Sequence, residues 1–91
     1  KWYDVPFNKN ALVVNTGLAL EYLTNGKYKA TNHRVLWNKS ERLSIPFFFE
    51  PSFDFKMNKT FFGNKSYNKS VGIKYDKFLM NSLKKFIEYN R

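Results

Sequence analysis

Apolar and polar residues alternate in blocks along the chain, and three of these blocks have the composition of β-strands. The run 11–15 is short and rich in β-branched residues, and it ends at a Thr-Gly pair that is typical of a turn. Residues 28–37 and 42–50 are two longer strand-like runs separated by a polar link. Pro46 cannot donate a hydrogen bond to a ladder, so we expect the third run at a sheet edge or a bulge.

Two other segments have the spacing of helices. The leucines of residues 18–26 fit a short helix better than a strand, and an Asn-Gly pair marks its end. Residues 73–91 predict an amphipathic C-terminal helix with Asp76 as the candidate N-cap. Its apolar residues recur at helical spacing: Leu79, Leu83, Phe86 and Ile87. Residues 51–72 have no steady period, and we expect an irregular excursion with Phe anchors.

The length of 91 residues allows one small domain. Three strands and two helices leave open sheet edges and much exposed aromatic surface, so the pattern predicts a part of something larger. We therefore expect a single partial, mainly β domain over residues 1–91, with strands in 1–50, the excursion in 51–72 and the helix in 73–91.

The amino-acid composition excludes some kinds of site and disfavours some partners. The absence of cysteine excludes disulfides and thiolate metal sites and favours a reducing, cytoplasmic location. No apolar run has the length of a membrane span, so no membrane partner is expected. The net charge of +9 raises the question of nucleic acid. However, thirteen of the sixteen basic residues are lysines spread along the chain, and eleven asparagines accompany them, as an AT-rich coding sequence would produce.

The candidate chemistry lies in the second and third predicted strands. Side chains alternate across a strand, so His33 shares a face with Val35, and Arg42 shares a face with Ser44. If both faces look into one interior, an imidazole, a guanidinium and a hydroxyl converge, and a planar guanidinium suits a carboxylate ligand. The same parity makes three residues candidates for a pocket wall: Val35, Pro46 and Phe48. On spacing alone, an ordinary strand histidine and a rim arginine are the favoured interpretation, and plain core packing is at least as good an interpretation for each wall residue.

The literal sequence adds a resemblance. The stretch "LTNGKYKATNHRVLWNKSERLSIPFFFEP" resembles the C-terminal half of the iron(II)/2-oxoglutarate-dependent dioxygenase superfamily, in its isopenicillin N synthase-like branch. "ALVVNTG" and "YDKFL" also resemble family segments, and the likeness is strong over about residues 2–50. It implies that His33 is the distal iron ligand and that Arg42 and Ser44 bind the distal carboxylate of 2-oxoglutarate. It also implies Fe(II) and 2-oxoglutarate as cofactors and leaves ascorbate open as a further one.

The resemblance implies a double-stranded β-helix, or jelly roll, of which this chain would be the C-terminal portion. In that fold, residues 28–37 and 42–50 lie in opposite sheets and face one cavity, whereas the bare sequence favours a hairpin. The chain departs from the family in lacking His-X-Asp and an acidic residue at Leu18. We therefore expect an upstream segment of the same protein to supply the missing ligands, and this chain alone to be inactive.

The function implied is a non-haem iron dioxygenase that oxidises a small molecule. Two alternatives belong to the same family: an isopenicillin N synthase-like oxidase that uses no 2-oxoglutarate, and a degenerate member that binds without catalysis. A third alternative is a basic module that stacks single-stranded nucleic acid on aromatic residues. "IPFFFEP" disfavours this alternative, because its three phenylalanines have no lysine among them.

Overall fold

The computed structural model describes residues 1–37, 39–59 and 71–85. Within them lie two helices and a two-stranded antiparallel sheet, in the order α1 (Leu18–Leu23), β1 (Lys56–Met57), β2 (Ile73–Lys74) and α2 (Tyr75–Leu83). Neither of these helices is long and apolar enough to cross a membrane.

Helix α1 follows the leucine spacing, as the sequence predicts. It begins after Gly17 and is followed by Thr24, whose hydroxyl donates to the Leu20 carbonyl over 2.8 Å. Asn25 and Gly26 then take positive φ angles of 50° and 81°, which Asn and Gly adopt at low cost. The predicted helix stop at this Asn-Gly pair is confirmed.

The sheet consists of two short strands that meet far apart in sequence. Lys56 pairs with Lys74 and Met57 pairs with Ile73. Gly72, just before β2, has a φ of 132°, and a Cβ atom at this position would overlap the backbone carbonyl of Met57. Only glycine therefore allows this approach. Strand β1 lies inside the range 51–72, where the sequence predicted irregular structure.

Helix α2 begins directly after β2, and its start differs from the prediction. Lys74 is the N-cap residue, whereas Asp76 lies in the first turn and accepts a hydrogen bond from the backbone N–H of Lys77 over 2.6 Å. The reason is tertiary: the backbone N–H of Tyr75 donates to the Phe55 carbonyl over 2.9 Å, which fixes where the chain leaves the sheet. Residues 86–91, the last part of the predicted helix, lie outside the described residues.

The core sits where α1, the sheet and α2 meet. Its buried residues are Leu23, Met57 and Tyr75, one from each layer of this arrangement. Partly buried side chains surround them: Ala19, Tyr22, Phe55, Ile73, Phe78 and Leu79. The Tyr22 and Phe78 rings, 5.3 Å apart between centroids, join the two helices by a tilted aromatic contact. We call α1, the sheet and α2 together the packed unit.

The structure differs from the prediction at the three predicted strands, 11–15, 28–37 and 42–50. The described residues of these runs form no strand, and most of their side chains are exposed. A strand is stable only when neighbouring strands satisfy its backbone groups and another layer covers its apolar face. The described chain supplies neither for these runs, so the part of a jelly roll that the family resemblance implies is not assembled in it.

Candidate functional site

Residues 29–31, just before His33, are docked onto the start of α1 by Thr16. The Thr31 N–H donates to the Thr16 carbonyl over 2.9 Å, and the Thr16 hydroxyl donates to the Lys29 carbonyl over 2.6 Å. The two threonine hydroxyl oxygens lie 2.8 Å apart. Because the only hydroxyl hydrogen of Thr16 points at Lys29, Thr31 must be the donor in this pair. Three hydrogen bonds therefore hold this segment at Thr16.

Glu21 of α1 provides a second attachment for the same segment. Its Oε2 accepts a hydrogen bond from the Ala30 N–H over 2.6 Å, and its Oε1 lies 3.9 Å from the Lys29 Nζ. The first contact joins a carboxylate to a backbone donor and is the stronger of the two. The ion pair involves a largely exposed lysine and adds little. The segment before His33 is thus fixed to α1 on both sides of Ala30.

The His33 ring is oriented by this docked segment. Its Nδ1 lies 2.9 Å from the Thr31 carbonyl oxygen. A carbonyl oxygen can only accept, so Nδ1 carries the proton and, in the neutral ring, Nε2 keeps a free lone pair. The side chain of His33 is exposed, so Nε2 is accessible to a metal ion. This is the arrangement in which proteins present an imidazole to a metal.

The residue after His33 contacts the N-terminal segment. The guanidinium carbon of Arg34 lies 4.3 Å from the centroid of the Trp2 ring, a close cation–π distance. Trp2 remains 56% exposed, so this contact is open to solvent. It brings the first residues of the chain beside the His33 segment.

Arg42 and Ser44 are exposed in the structure. Within the described residues, neither forms a hydrogen bond or an ion pair with the other or with His33, so the structure does not bring the three together. The candidate wall residues are exposed as well: Val35 (64%), Phe48 (74%) and Pro46. The roles assigned to Arg42, Ser44 and these wall residues stay predictions.

Glu50, at the end of the third predicted strand, is attached to the packed unit. Burial of Tyr75 raises the pKa of its phenol well above the usual value, and the hydrogen bond to the Glu50 carboxylate, with the charge of that carboxylate, raises the pKa further. The stacked rings of Tyr75 and Phe53, 6.3 Å apart, lie beside this contact. It ties the end of the Arg42 segment to the core.

The described clefts lie away from these residues. One, of about 340 Å³, opens between the two helices and is lined by Tyr22, Phe78 and their neighbours, with Lys59 at its edge. His33, Arg42 and Ser44 do not line it. The cleft is therefore separate from the predicted chemistry.

An iron ion suits His33 but needs more ligands than the described residues bring together. No group of three or more His, Cys, Asp or Glu side chains is clustered in residues 1–37, 39–59 and 71–85. His33 is the only histidine of the chain. The residues present therefore fit one position of a 2-His-1-carboxylate site, with the Nε2 atom as the donor.

The residues that orient His33 are not among those predicted from the sequence. Thr31 shares the strand parity of His33 and precedes it by two residues, which was a usable signal. Thr16 and Glu21 carried no such signal, because their contacts with residues 29–31 depend on how the chain turns after α1.

Comparison with known proteins supports the resemblance drawn from the motifs. A family model described as the 2OG-Fe(II) oxygenase superfamily matches residues 1–51. A flavonol synthase/flavanone 3-hydroxylase of Petunia hybrida is 51% identical over 51 residues, which are 55% of this chain and 15% of that protein. The 1-aminocyclopropane-1-carboxylate oxidase 3 of Arabidopsis thaliana is 48% identical over 54 residues, 58% of this chain and 17% of that protein.

A third relative is a bi-functional coumaroyl CoA and feruloyl CoA ortho-hydroxylase of Ipomoea batatas, 49% identical over 51 residues, which are 55% of this chain and 14% of that protein. The chain thus spans only a small part of the length of the relatives it matches, between 14% and 17% for these three. No solved structure matches it significantly. The matched residues include His33, Arg42 and Ser44.

Proposed function

The chain belongs to the 2OG-Fe(II) oxygenase superfamily, and from that membership we propose that its protein is a non-haem Fe(II)- and 2-oxoglutarate-dependent dioxygenase. In this proposal the chain supplies one iron ligand and the anchor of the cosubstrate, and the substrate is a small molecule. The observation that carries the proposal is the content of the matched segment. It contains the only histidine of the chain together with an Arg-X-Ser pair at the spacing typical of the family.

His33 would hold the iron through Nε2. The Thr31 carbonyl accepts the hydrogen of Nδ1, which leaves Nε2 as the donor atom. Hydrogen bonding of the distal nitrogen to a carbonyl also raises the basicity of a ligating imidazole. Fe(II), when bound, supplies the redox chemistry that couples decarboxylation of 2-oxoglutarate to oxidation of a substrate.

Arg42 and Ser44 would hold the distal carboxylate of 2-oxoglutarate. The guanidinium offers a planar pair of N–H donors, and within the described residues no acidic side chain occupies them. The Ser44 hydroxyl adds a neutral hydrogen bond. Since hydrogen bonds to charged groups are worth roughly 1.5–3 kcal/mol and neutral ones about 1 kcal/mol, Arg42 should contribute more.

We propose that the remaining iron ligands, a His-X-Asp pair, come from an upstream segment of the same protein. The support is chemical: the family's metal site uses two histidines and one carboxylate, and this chain has one histidine. The same upstream segment would supply the strands that cover the exposed apolar side chains of residues 35–49.

A second candidate function is an iron oxidase in which Arg42 and Ser44 hold the carboxylate of the substrate itself. The observation that favours it is the group of relatives named 1-aminocyclopropane-1-carboxylate oxidases, from Arabidopsis thaliana, Cucumis melo and Dianthus caryophyllus. The substrate in their name is a carboxylate, so the same Arg-X-Ser pair would have a ligand without any 2-oxoglutarate.

Replacing His33 tests the iron assignment in the protein that contains this chain together with its His-X-Asp segment. His33→Ala should lower Fe(II) affinity by more than about 100-fold and abolish turnover, because a ligand matters more than the outer groups whose loss costs 10–100-fold. Calorimetric titration with Fe(II) measures the affinity. Asn32→Ala, an exposed neighbour, is the matched control. Unchanged iron binding in His33→Ala would remove His33 from the site.

Replacing Arg42 and Ser44 separates the two candidate functions. Arg42→Lys keeps the charge but loses the planar fork, so the KM for 2-oxoglutarate should rise about tenfold or more. Ser44→Ala should raise it by about tenfold or less. Succinate release measures this KM. If both changes left it untouched and raised the KM of the prime substrate instead, the oxidase would be the better description.

A further inference from the structure

The hydroxyl hydrogen bonds between Thr16 and residues 29–31 run from Thr31 to Thr16 and end at the Lys29 carbonyl. Thr31 donates its hydroxyl to Thr16, and Thr16 donates its hydroxyl to the Lys29 carbonyl. The Thr31 N–H returns to the Thr16 carbonyl. Both polar backbone atoms of Thr31 are then committed, because its carbonyl accepts from the His33 ring.

We propose that the Thr16–Thr31 hydroxyl pair is a positioning device that sets the tautomer of His33 and so presents Nε2 to iron. The Thr31 carbonyl can hold the Nδ1 hydrogen only if its peptide plane has a fixed direction. Within the described residues, the Thr16–Thr31 hydroxyl pair and the Ala30–Glu21 hydrogen bond fix residues 29–31, which lead directly into that peptide. Thr16 and Thr31 are positioning residues, since they act through the imidazole. The role of this pair in iron binding rests on the proposed function.

Docking on α1 anchors the Thr16–Thr31 pair to the packed unit, whereas the residues after His33 are exposed. Thr16 immediately precedes Gly17, the N-cap of α1, and Leu23 of that helix is part of the buried core. The packed unit is thereby connected to the His33 ring through Thr16 and Thr31. After His33, the apolar side chains of residues 35–37 are all exposed, so the orientation of the ring comes from the residues before it.

The experiment uses the 91-residue chain labelled with ¹⁵N in histidine, at a concentration below self-association. His33 is the only histidine, so every ring signal belongs to it. Long-range ¹H–¹⁵N spectra at alkaline pH, where imidazoles are neutral, report which ring nitrogen carries the hydrogen. The parent chain should show mainly the Nδ1–H form.

Thr16→Val should shift the ring toward the tautomer mixture of free histidine, and Thr16→Ser should restore the parent spectrum. Thr31→Val keeps the Thr31 N–H bond and should give a smaller shift in the same direction, which serves if Thr16→Val does not fold. Ser82→Ala removes a comparable hydroxyl bond, 2.9 Å to the Phe78 carbonyl, in α2 and should change nothing. A second readout is Fe(II) affinity in the protein with its His-X-Asp segment, which should fall roughly tenfold in Thr16→Val, the lower end for outer groups at metal sites.

The two possible failures are distinguishable. A parent-like tautomer in both valine variants, or a free-histidine mixture in the parent chain, overturns the positioning role whatever the iron result. A tautomer that shifts as expected, combined with iron binding that does not depend on His33, overturns the proposed function.

Discussion

Met57 and Phe49 lie a few residues apart and have opposite surroundings. Met57 is completely buried in the packed unit, whereas Phe49 is 95% exposed. The same contrast holds for whole segments. In residues 1–15 and 35–49, which we call the exposed segments, every described large apolar side chain is exposed. The packed unit and the exposed segments are both rich in apolar residues but differ in what covers them.

This contrast reflects how far a helix or a strand can stabilise itself. A helix satisfies its backbone hydrogen bonds within the segment, so α1 and α2 need each other only to cover their apolar faces. A strand needs neighbours for both its backbone and its side chains. The predicted strands carry the side chains of the candidate chemistry, but within the described residues they have no such neighbours. His33 lies between the two kinds of region, next to the docked residues 29–31.

The strongest test of this contrast exchanges one large side chain in each region. Met57→Ala should reduce the free energy of opening of the packed unit by about 2–5 kcal/mol, because a cavity replaces a fully buried side chain. Phe49→Ala should change it by no more than about 0.5 kcal/mol, as for other exposed positions. Hydrogen exchange of the α2 amides measures both. Equal effects of the two changes would show that the contrast in burial does not describe the chain in solution.

The second test compares substitutions at two glycines, and the expected loss of stability is smaller than for Met57→Ala. Gly72→Ala should destabilise the pairing of β1 with β2 by roughly 1–3 kcal/mol, since φ is 132° and the new methyl group would meet the Met57 carbonyl. Gly17→Ala is the matched control, with nothing within 4 Å of the added atom and a cost of at most about 1 kcal/mol at this N-cap. Exchange of the β2 and α2 amides should rise much more in the first variant. A stable Gly72→Ala chain would contradict the register of the sheet.

The smallest effect concerns the Tyr75–Glu50 contact, which joins the packed unit to the end of the Arg42 segment. The folded-state pKa of Tyr75 lies above its unfolded value of about 10, so its contribution to stability is complete below that pH and declines as the pH rises further. Tyr75→Phe should cost about 1 kcal/mol at neutral pH. It should also remove part of the loss of stability above about pH 10.

Helix content followed by circular dichroism between about pH 8 and 12 measures this slope. Glu50→Gln keeps an acceptor for the Tyr75 hydroxyl and serves as the control for the hydrogen bond itself. Identical slopes in the parent chain and in Tyr75→Phe would mean that other groups, the lysines among them, account for the alkaline loss.

The sequence predicted which residues make up the candidate site but not how they are arranged. His33, Arg42 and Ser44 were chosen for their residue type and parity and for the family resemblance of the stretch that contains them, and their roles stay predictions. The geometry came from the structure alone. The direction of the His33 ring depends on the Thr31 carbonyl, and that carbonyl depends on Thr16, a residue that the turn after α1 brings near.

The two helices follow from local sequence patterns. Leucine spacing and the Asn-Gly stop gave α1, and apolar spacing gave α2, because a helix depends on residues three and four apart in sequence. Tertiary structure alone decided the rest: that Met57 is buried, that β1 pairs with β2 beside Gly72, that Lys74 and not Asp76 caps α2, and that the predicted strands 11–15, 28–37 and 42–50 are not formed in the described chain. The physical reason is that burial and strand pairing depend on partners distant in sequence, and a local pattern predicts the need for a partner without supplying it.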